Sequence, residues 1–380
     1  MKLENYFFDC GDGENIYREV VDKLEKAFVK SDRTDAILVV RGKKLHVNKA
    51  VLSYHSDYFK KLFNSDFKNE SMEEIEIKDV NFHIFATVLS LVHGGPIKCS
   101  TYYFEKYLDL ADRFQLPAAK RHLEQFLISS NRYRFGFIRI AEKYQLDDLM
   151  DIALSQLNRE DYYSYDTRIE DLLPRFKDFS DETNIKLFHR LLEIKNGTKR
   201  LPNVKVSQLS IYESTFAKTD KTDAILVVDG KKLHVNKAVL SHHSDYFNVM
   251  FNSDFKEKSM KEIEIKNVDF ENFATLLSIV HLNPIAPANK ETAMKIVELS
   301  VPFFIPCVKQ FLEPFIYSSP LSNMEKIRIG ELYDNQKLCQ EGIDALKLED
   351  FSDLPNNLTY QALSSAAKKN IFFKSLALYL

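Results

Sequence analysis

The first hydrophobic pattern in the chain is an unbroken apolar, β-branched run from Ala36 to Val40, followed by Arg41-Gly42 and the stretch Lys44 to Val47. Two such runs around a glycine turn predict a β-hairpin. Asn48 then stands where a helix N-cap is needed, before Ala50, Val51 and Leu52, and Ser56 stands before Tyr58, Phe59, Leu62 and Phe63. Glu74 to Ile77 alternates polar and apolar, so it predicts a third strand. Asn81 opens a helix in which Phe82, Phe85, Val88, Leu89 and Val92 form an apolar stripe. Pro96 is expected to end that helix. Tyr103 to Phe114 and Pro117 to Ile128 predict a helical hairpin with Pro117 at the first position of its second helix. A small sheet followed by a helix cluster is an α+β arrangement.

The same pattern occurs twice. From Thr34 to Ile97 and from Thr222 to Ile285 the chain aligns without gaps, with 48 of 64 positions identical. In the second copy the hairpin turn is Asp229-Gly230. Weaker similarity continues from Leu110 against Leu299 and from Arg139 against Arg328. Upstream, Glu25, Phe28, Lys30 and Asp32 recur as Glu213, Phe216, Lys218 and Asp220. The repeat divides the 380 residues into an N-terminal helical segment (1–33), copy one (34–130), an all-helical extension (131–196), a linker (197–221), copy two (222–319) and a second all-helical extension (320–380). Two prolines break the parallel: Pro302 and Pro314 replace Arg113 and Gln125 inside helices expected of copy two, where a proline costs about 3 kcal/mol or more.

Charge and chemistry narrow the reading. The net charge of −3 gives no basic excess to neutralise a phosphate backbone, so nucleic acid is not an expected partner. Cys10, Cys99, Cys307 and Cys339 show no metal-ligand spacing and are expected to be free thiols of a reducing compartment. The opening MKLENYFFDCGDGEN turns acidic too soon for a secretory leader, and no apolar run is long enough to span a bilayer. An intracellular location, cytoplasmic or nuclear, is expected. His93-Gly94-Gly95-Pro96 is similar to the oxyanion loop of some hydrolases, but no G-x-S-x-G turn accompanies it and copy two reads His281-Leu282-Asn283-Pro284. No P-loop or dinucleotide fingerprint appears. The chain is expected to be no enzyme and to need no cofactor or metal.

The run Asp35, Leu38, Val40, Leu45, His46, Val47, Lys49, Leu52, Ser53, His55, Ser56, Tyr58, Phe59, with its counterpart Asp223, Leu226, Val228, Leu233, His234, Val235, Lys237, Leu240, Ser241, His243, Ser244, Tyr246, Phe247, resembles the BTB/POZ family. The helical extensions resemble short relatives of the BACK region. The resemblance implies a protein–protein interaction scaffold that dimerises. It implies structural hydrogen bonds for His46 and His55 and, in many members, a role as substrate adaptor of a cullin-type ubiquitin ligase. Members that bind cullin often carry an apolar-x-Glu motif before the third strand. Here it aligns with Phe67-Lys68-Asn69 in copy one and Phe255-Lys256-Glu257 in copy two, so copy one lacks the glutamate. The alternative is a structural protein whose units only self-assemble.

Self-complementary pairing faces, present twice in one chain, are expected to meet each other. A linker of roughly 25 residues spans about 25–30 Å as a coil, which makes the pairing intramolecular at an effective concentration in the millimolar range. The changes from Lys60 to Asn248 and Lys61 to Val249 are expected to ease repulsion if those helices face one another. A homodimer through outward-facing patches is the competing arrangement.

Overall fold

A computed structural model describes residues 13–64, 74–97, 99–130, 134–158, 177–197, 208–253, 260–317 and 320–379. In copy one, α1 (Gly13–Ala27) leads to strands β1 (Ala36–Val40) and β2 (Lys43–Val47), helices α2 (Lys49–His55) and α3 (Asp57–Asn64), strand β3 (Glu74–Glu76), and helices α4 (Phe82–His93), α5 (Phe104–Arg113) and α6 (Pro117–Ser130). Its extension carries α7 (Arg134–Tyr144), α8 (Asp147–Gln156) and α9 (Asp181–Lys195). Copy two repeats the order as α10 (Gln208–Thr215), β4 (Ala224–Val228), β5 (Lys231–Val235), α11 (Lys237–His243), α12 (Asp245–Asn252), β6 (Glu262–Glu264), α13 (Phe270–Ser278), α14 (Lys290–Ser300) and α15 (Cys307–Ile316). The last helices are α16 (Asn323–Leu332), α17 (Gln336–Asp344), α18 (Leu358–Gln361) and α19 (Ser365–Tyr379).

The hairpins form as the sequence predicts. Arg41 and Gly42 have φ values of 50° and 79°, and Asp229 and Gly230 have 49° and 75°. Both central residues are left-handed in each turn, which suits the right-handed twist of the flanking strands. β1 pairs antiparallel with β2, placing Leu38 opposite Leu45, and parallel with β3, which is reached through α2 and α3. The sheets read β2-β1-β3 and β5-β4-β6.

Each sheet packs on an aromatic trio that the repeat preserves. Phe114 lies 5.8 Å from Phe59 and 4.9 Å from Phe85 between ring centroids; Phe303 lies 6.0 Å from Phe247 and 5.0 Å from Phe273. Ser56 ties this centre together. Its hydroxyl accepts from the Phe59 N–H at 3.0 Å, capping α3, and donates to the Phe114 carbonyl at 2.6 Å. Ser244 does the same for α12 through Phe247 and Phe303. Asn48, Asn81, Asn236 and Asp269 cap α2, α4, α11 and α13 by accepting N–H bonds.

Three expectations need correction. α4 stops at His93, before Pro96, because Gly94 takes the left-handed cap position at φ 103°. Pro302 lies beyond the end of α14, which closes two residues early at Ser300, while Pro314 does sit inside α15. The stretch 197–221 is not all linker, for α10 falls within it, and Tyr212 on this helix and Phe216 just after it are buried in the core of copy two. It is the counterpart of α1, which the upstream recurrence of Glu213 and Phe216 had indicated.

Ser56→Ala and Ser244→Ala should each cost about 2 kcal/mol, the loss of a cap plus a buried carbonyl left unpaired. Urea denaturation of the two single variants should give losses of similar size. A cost confined to one copy would mean that the two centres are not equivalent.

Candidate functional site

The two copies meet along a seam at which the same faces oppose each other. α2 packs on α11, and α6 on α15. The polar contacts come in related pairs. Arg33 donates to the His242 carbonyl at 3.0 Å and forms an ion pair with Asp245. At the matching position Lys221 donates to the Tyr54 carbonyl at 3.2 Å and to Asp57 at 3.1 Å. The His93 ring lies 4.7 Å from that of His242, and its counterpart His281 lies 5.8 Å from Tyr54. His122 and Phe311 are equivalent residues, and they stack on each other at 4.0 Å. This is the reciprocity of a two-fold interface inside one chain.

The reciprocity is incomplete. His122 Nε2 donates to the Ile279 carbonyl at 3.1 Å, and Gln125 donates to the buried Pro284 carbonyl at 3.0 Å. Copy two has Phe311 and Pro314 there, and neither side chain can donate. Gly94 also has a seam role: a Cβ at this position would lie 3.1 Å from His243 Nδ1. Leu282 stands at the matching place in copy two.

Six histidines, His55, His93, His122, His242, His243 and His281, lie at this seam, and burial lowers the pKa of each. His55 and His122 fall to about 3 and His281 to about 4. His93, His242 and His243 are lowered too. All are neutral at pH 7. The structural hydrogen bonds expected of His55 are not formed: neither ring nitrogen has a partner among the described residues, nor does Nδ1 of His46. The other motif residues support the fold. Asp35 and Asp223 accept the Lys49 and Lys237 backbone N–H at 2.7 Å, at the start of α2 and α11. Phe59 and Phe247 are buried, Ser53, Ser241 and Tyr58 are half-buried, and His234, like His46, lies half-buried on the second strand of its hairpin.

Lys60 and Lys61 do not face their counterparts. Lys60 approaches Asp220 at 3.8 Å, and both lysines line an open groove of about 1010 Å³ with Asp112, Gln115, Lys120 and Lys221. The equivalent face of copy two gains apolar residues at three of these positions, while Asn248 and Lys309 stand where copy one has Lys60 and Lys120. Val249, Val301 and Phe304, exposed at 49%, 54% and 60%, replace Lys61, Asp112 and Gln115. Tyr246 flanks them on α12, 5.0 Å from Phe303. Phe304 holds φ 49°, a left-handed conformation that a bulky side chain adopts at a cost. Phe67, Lys68, Phe255, Lys256 and Glu257 lie outside the described residues. Sequence reasoning named α12 only for its charge change. The signal for this face was the set of three replacements read together.

Among the described residues no cluster of His, Cys, Asp and Glu could hold a metal, and no helix is long and apolar enough to cross a membrane. Cys99 and Cys307 are buried, which pushes both thiols up to about 12 and leaves them protonated.

A family model of the BTB/POZ domain matches residues 24–131 and 212–320. The BTB and MATH domain-containing protein 36 of Caenorhabditis elegans is 32% identical over 143 residues, 37% of this chain and 44% of that protein. The BTB and MATH domain-containing protein 45 of the same organism is 24% identical over 340 residues, 86% of this chain and 62% of the relative. Kelch-like protein 6 of Homo sapiens is 28% identical over 190 residues, 46% of this chain and 30% of that protein. The chain thus spans about half the length of the curated relatives it matches.

Light scattering should give a mass near 44 kDa across a wide concentration range. A stable dimer would show that the faces pair between chains. Gln125→Ala should loosen the seam by about 1 kcal/mol, because the buried Pro284 carbonyl loses its 3.0 Å donor and keeps only Arg121 Nε at 3.5 Å. Faster hydrogen exchange around residues 279–285 reads that loss.

Proposed function

The chain belongs to the BTB/POZ domain family, and from that premise we propose that it is an adaptor of a cullin-type ubiquitin ligase, docking the cullin on copy two alone. BTB domains mediate protein–protein interaction, which gives the general role of scaffold. The observation that carries the finer reading is the apolar face of Tyr246, Val249, Val301 and Phe304. Exposed aromatic and aliphatic side chains grouped on a rigid helix and the turn beside it are what a partner buries as anchors. The residues Phe255, Lys256 and Glu257 follow α12 directly in the chain, so the apolar-x-Glu motif belongs to the copy that carries this face. In copy one Tyr58 is kept, but Lys61, Asp112 and Gln115 stand at the other three positions and the glutamate is missing, so one chain offers one docking face.

The self-assembly reading has less support, since the seam already occupies the pairing face of both copies. The free thiols suit a cytoplasmic or nuclear setting, which we adopt as part of the proposal.

Affinity purification with mass spectrometry tests it. Cullin peptides should accompany the intact chain and fall at least tenfold with Val249→Lys and Phe304→Gln, which install the residues of copy one. Glu257→Ala together with Phe255→Ala should act in the same direction, while Phe67→Ala should not. Absence of cullin from the intact chain rejects the ligase role; unimpaired capture by the Val249 and Phe304 variants rejects the face. Phe304→Gly should separate folding from docking: thermal unfolding should show a gain of up to about 1 kcal/mol from released backbone strain, with capture weakened.

A further inference from the structure

We propose that the seam between the two copies is an acid-sensitive latch, closed while its histidines are neutral and opened by proton uptake at His93 and the histidines packed around it. The geometry at His93 is the trigger. Its Nε2 accepts the backbone N–H of Asn48 at 2.9 Å, in the residue that caps α2. A proton on Nε2 would set one donor against another, so the bond that holds the head of α2 is lost. α2 is the helix that packs on α11 across the seam, and the His93 carbonyl accepts from His242 Nε2 at 2.8 Å. A change at His93 therefore reaches both copies.

The surroundings offer little to receive the charge. His93 faces His242 and His55. His55 faces His281, His122, Lys221 and His242. His243 faces His242, His55 and His93, and its ring abuts Gly94. His242 faces Arg33 and the carboxylate of Asp35, which already accepts the Lys49 N–H. His122 faces Arg121, itself paired with Glu124 and Asp148. His281 lies against Tyr54 and Phe216, and Asp223 acts on Tyr54. The carboxylates nearest the ion pairs, Asp57 and Asp245, are engaged by Lys221 and Arg33. A first proton thus enters a group of rings and cations, and each further one is repelled by those before it.

The sign follows from where the protons bind. In the closed seam the histidines titrate below their ordinary value of about 6.5, whereas in an opened chain they return towards it. The open form then binds more protons between about pH 6.5 and the lowered values. Closure is complete above that window and is lost as the pH falls through it, by about tenfold per proton for each pH unit.

Hydrogen exchange of the full chain between about pH 7.5 and 5, corrected for intrinsic rates, provides the test. Opening of α2, α11 and the 279–285 loop should rise at least tenfold per pH unit below about 6.5, while α4 and α13 stay protected. His93→Gln keeps an acceptor for the Asn48 N–H but takes no proton, and His122→Asn removes a second site. In either variant the slope against pH should fall by about one. A seam whose opening does not respond to pH, cores that open together with it, or an unchanged slope in both variants would overturn the proposal.

Discussion

Two like surfaces meet across the seam, and each must bury its polar groups against the other without burying a charge. This constraint explains the choice of side chains. Imidazole can be an acceptor, as His93 is for Asn48, or a donor, as His122 and His242 are, and it stays neutral when water is removed. Arg33 and Lys221 each find both a carboxylate and a carbonyl from the opposite copy, and Arg121, paired with Glu124 and Asp148, reaches the Pro284 carbonyl at 3.5 Å. The apolar share is carried by rings, with His122 on Phe311 where the two copies come into register. Neutral rings in the middle and ion pairs outside form an interface that tolerates burial. The same choice makes it sensitive to protons.

Pairing also settles which surfaces are left to the outside. α3 and α12 lie beside the seam, joined to it through Asp57 and Asp245. Their outward positions differ between the copies, with Lys60 of α3 approaching Asp220 of the segment leading into copy two at 3.8 Å. Copy one has lysines and acids there, and Asp220 and Lys221, from the segment leading into copy two, form part of that groove. Copy two carries Val249, Val301 and Phe304 instead. The left-handed turn that Gln115 adopts at φ 52° is retained by Phe304 at φ 49°. A bulky aromatic at a conformation that disfavours it is a feature folding alone would select against.

Much of the fold was legible because local signals agreed. Asn48, Ser56 and Asn81 act as caps where the pattern placed them, and the Arg-Gly and Asp-Gly turns are left-handed at both positions. Helix ends were less legible. Pro96 drew attention from Gly94, whose freedom at φ 103° ends α4 first, and α10 lay hidden among polar residues that suggested a linker. The seam was legible as an expectation about duplicated faces, but its members were not. The resemblance implies structural hydrogen bonds for His55, whereas among the described residues neither of its ring nitrogens has a partner. Spacing along a chain cannot tell a histidine facing its own core from one facing a second copy. The apolar face was missed for a similar reason, since Val249 on α12 and Val301 and Phe304 beyond α14 become neighbours only through the packing of those elements.

The tandem arrangement permits what a dimer of separate chains cannot. In a symmetric dimer every substitution appears on both sides of the axis, so a change that helps one side must be tolerated by the other. Here the sides vary independently. Gln125 can grip the Pro284 carbonyl while the matching position becomes proline within α15, and a histidine can meet a phenylalanine where symmetry would require two of a kind. Three quarters of the aligned core positions stayed identical, because each copy must still fold around the same aromatic trio. Some of the differences fall where the copies have different neighbours, at the middle of the seam and on the outer face of α3 and α12. Covalent linkage thus relaxes the demand for symmetry at the interface, and one copy can specialise for an outside partner while the other serves as its fixed support.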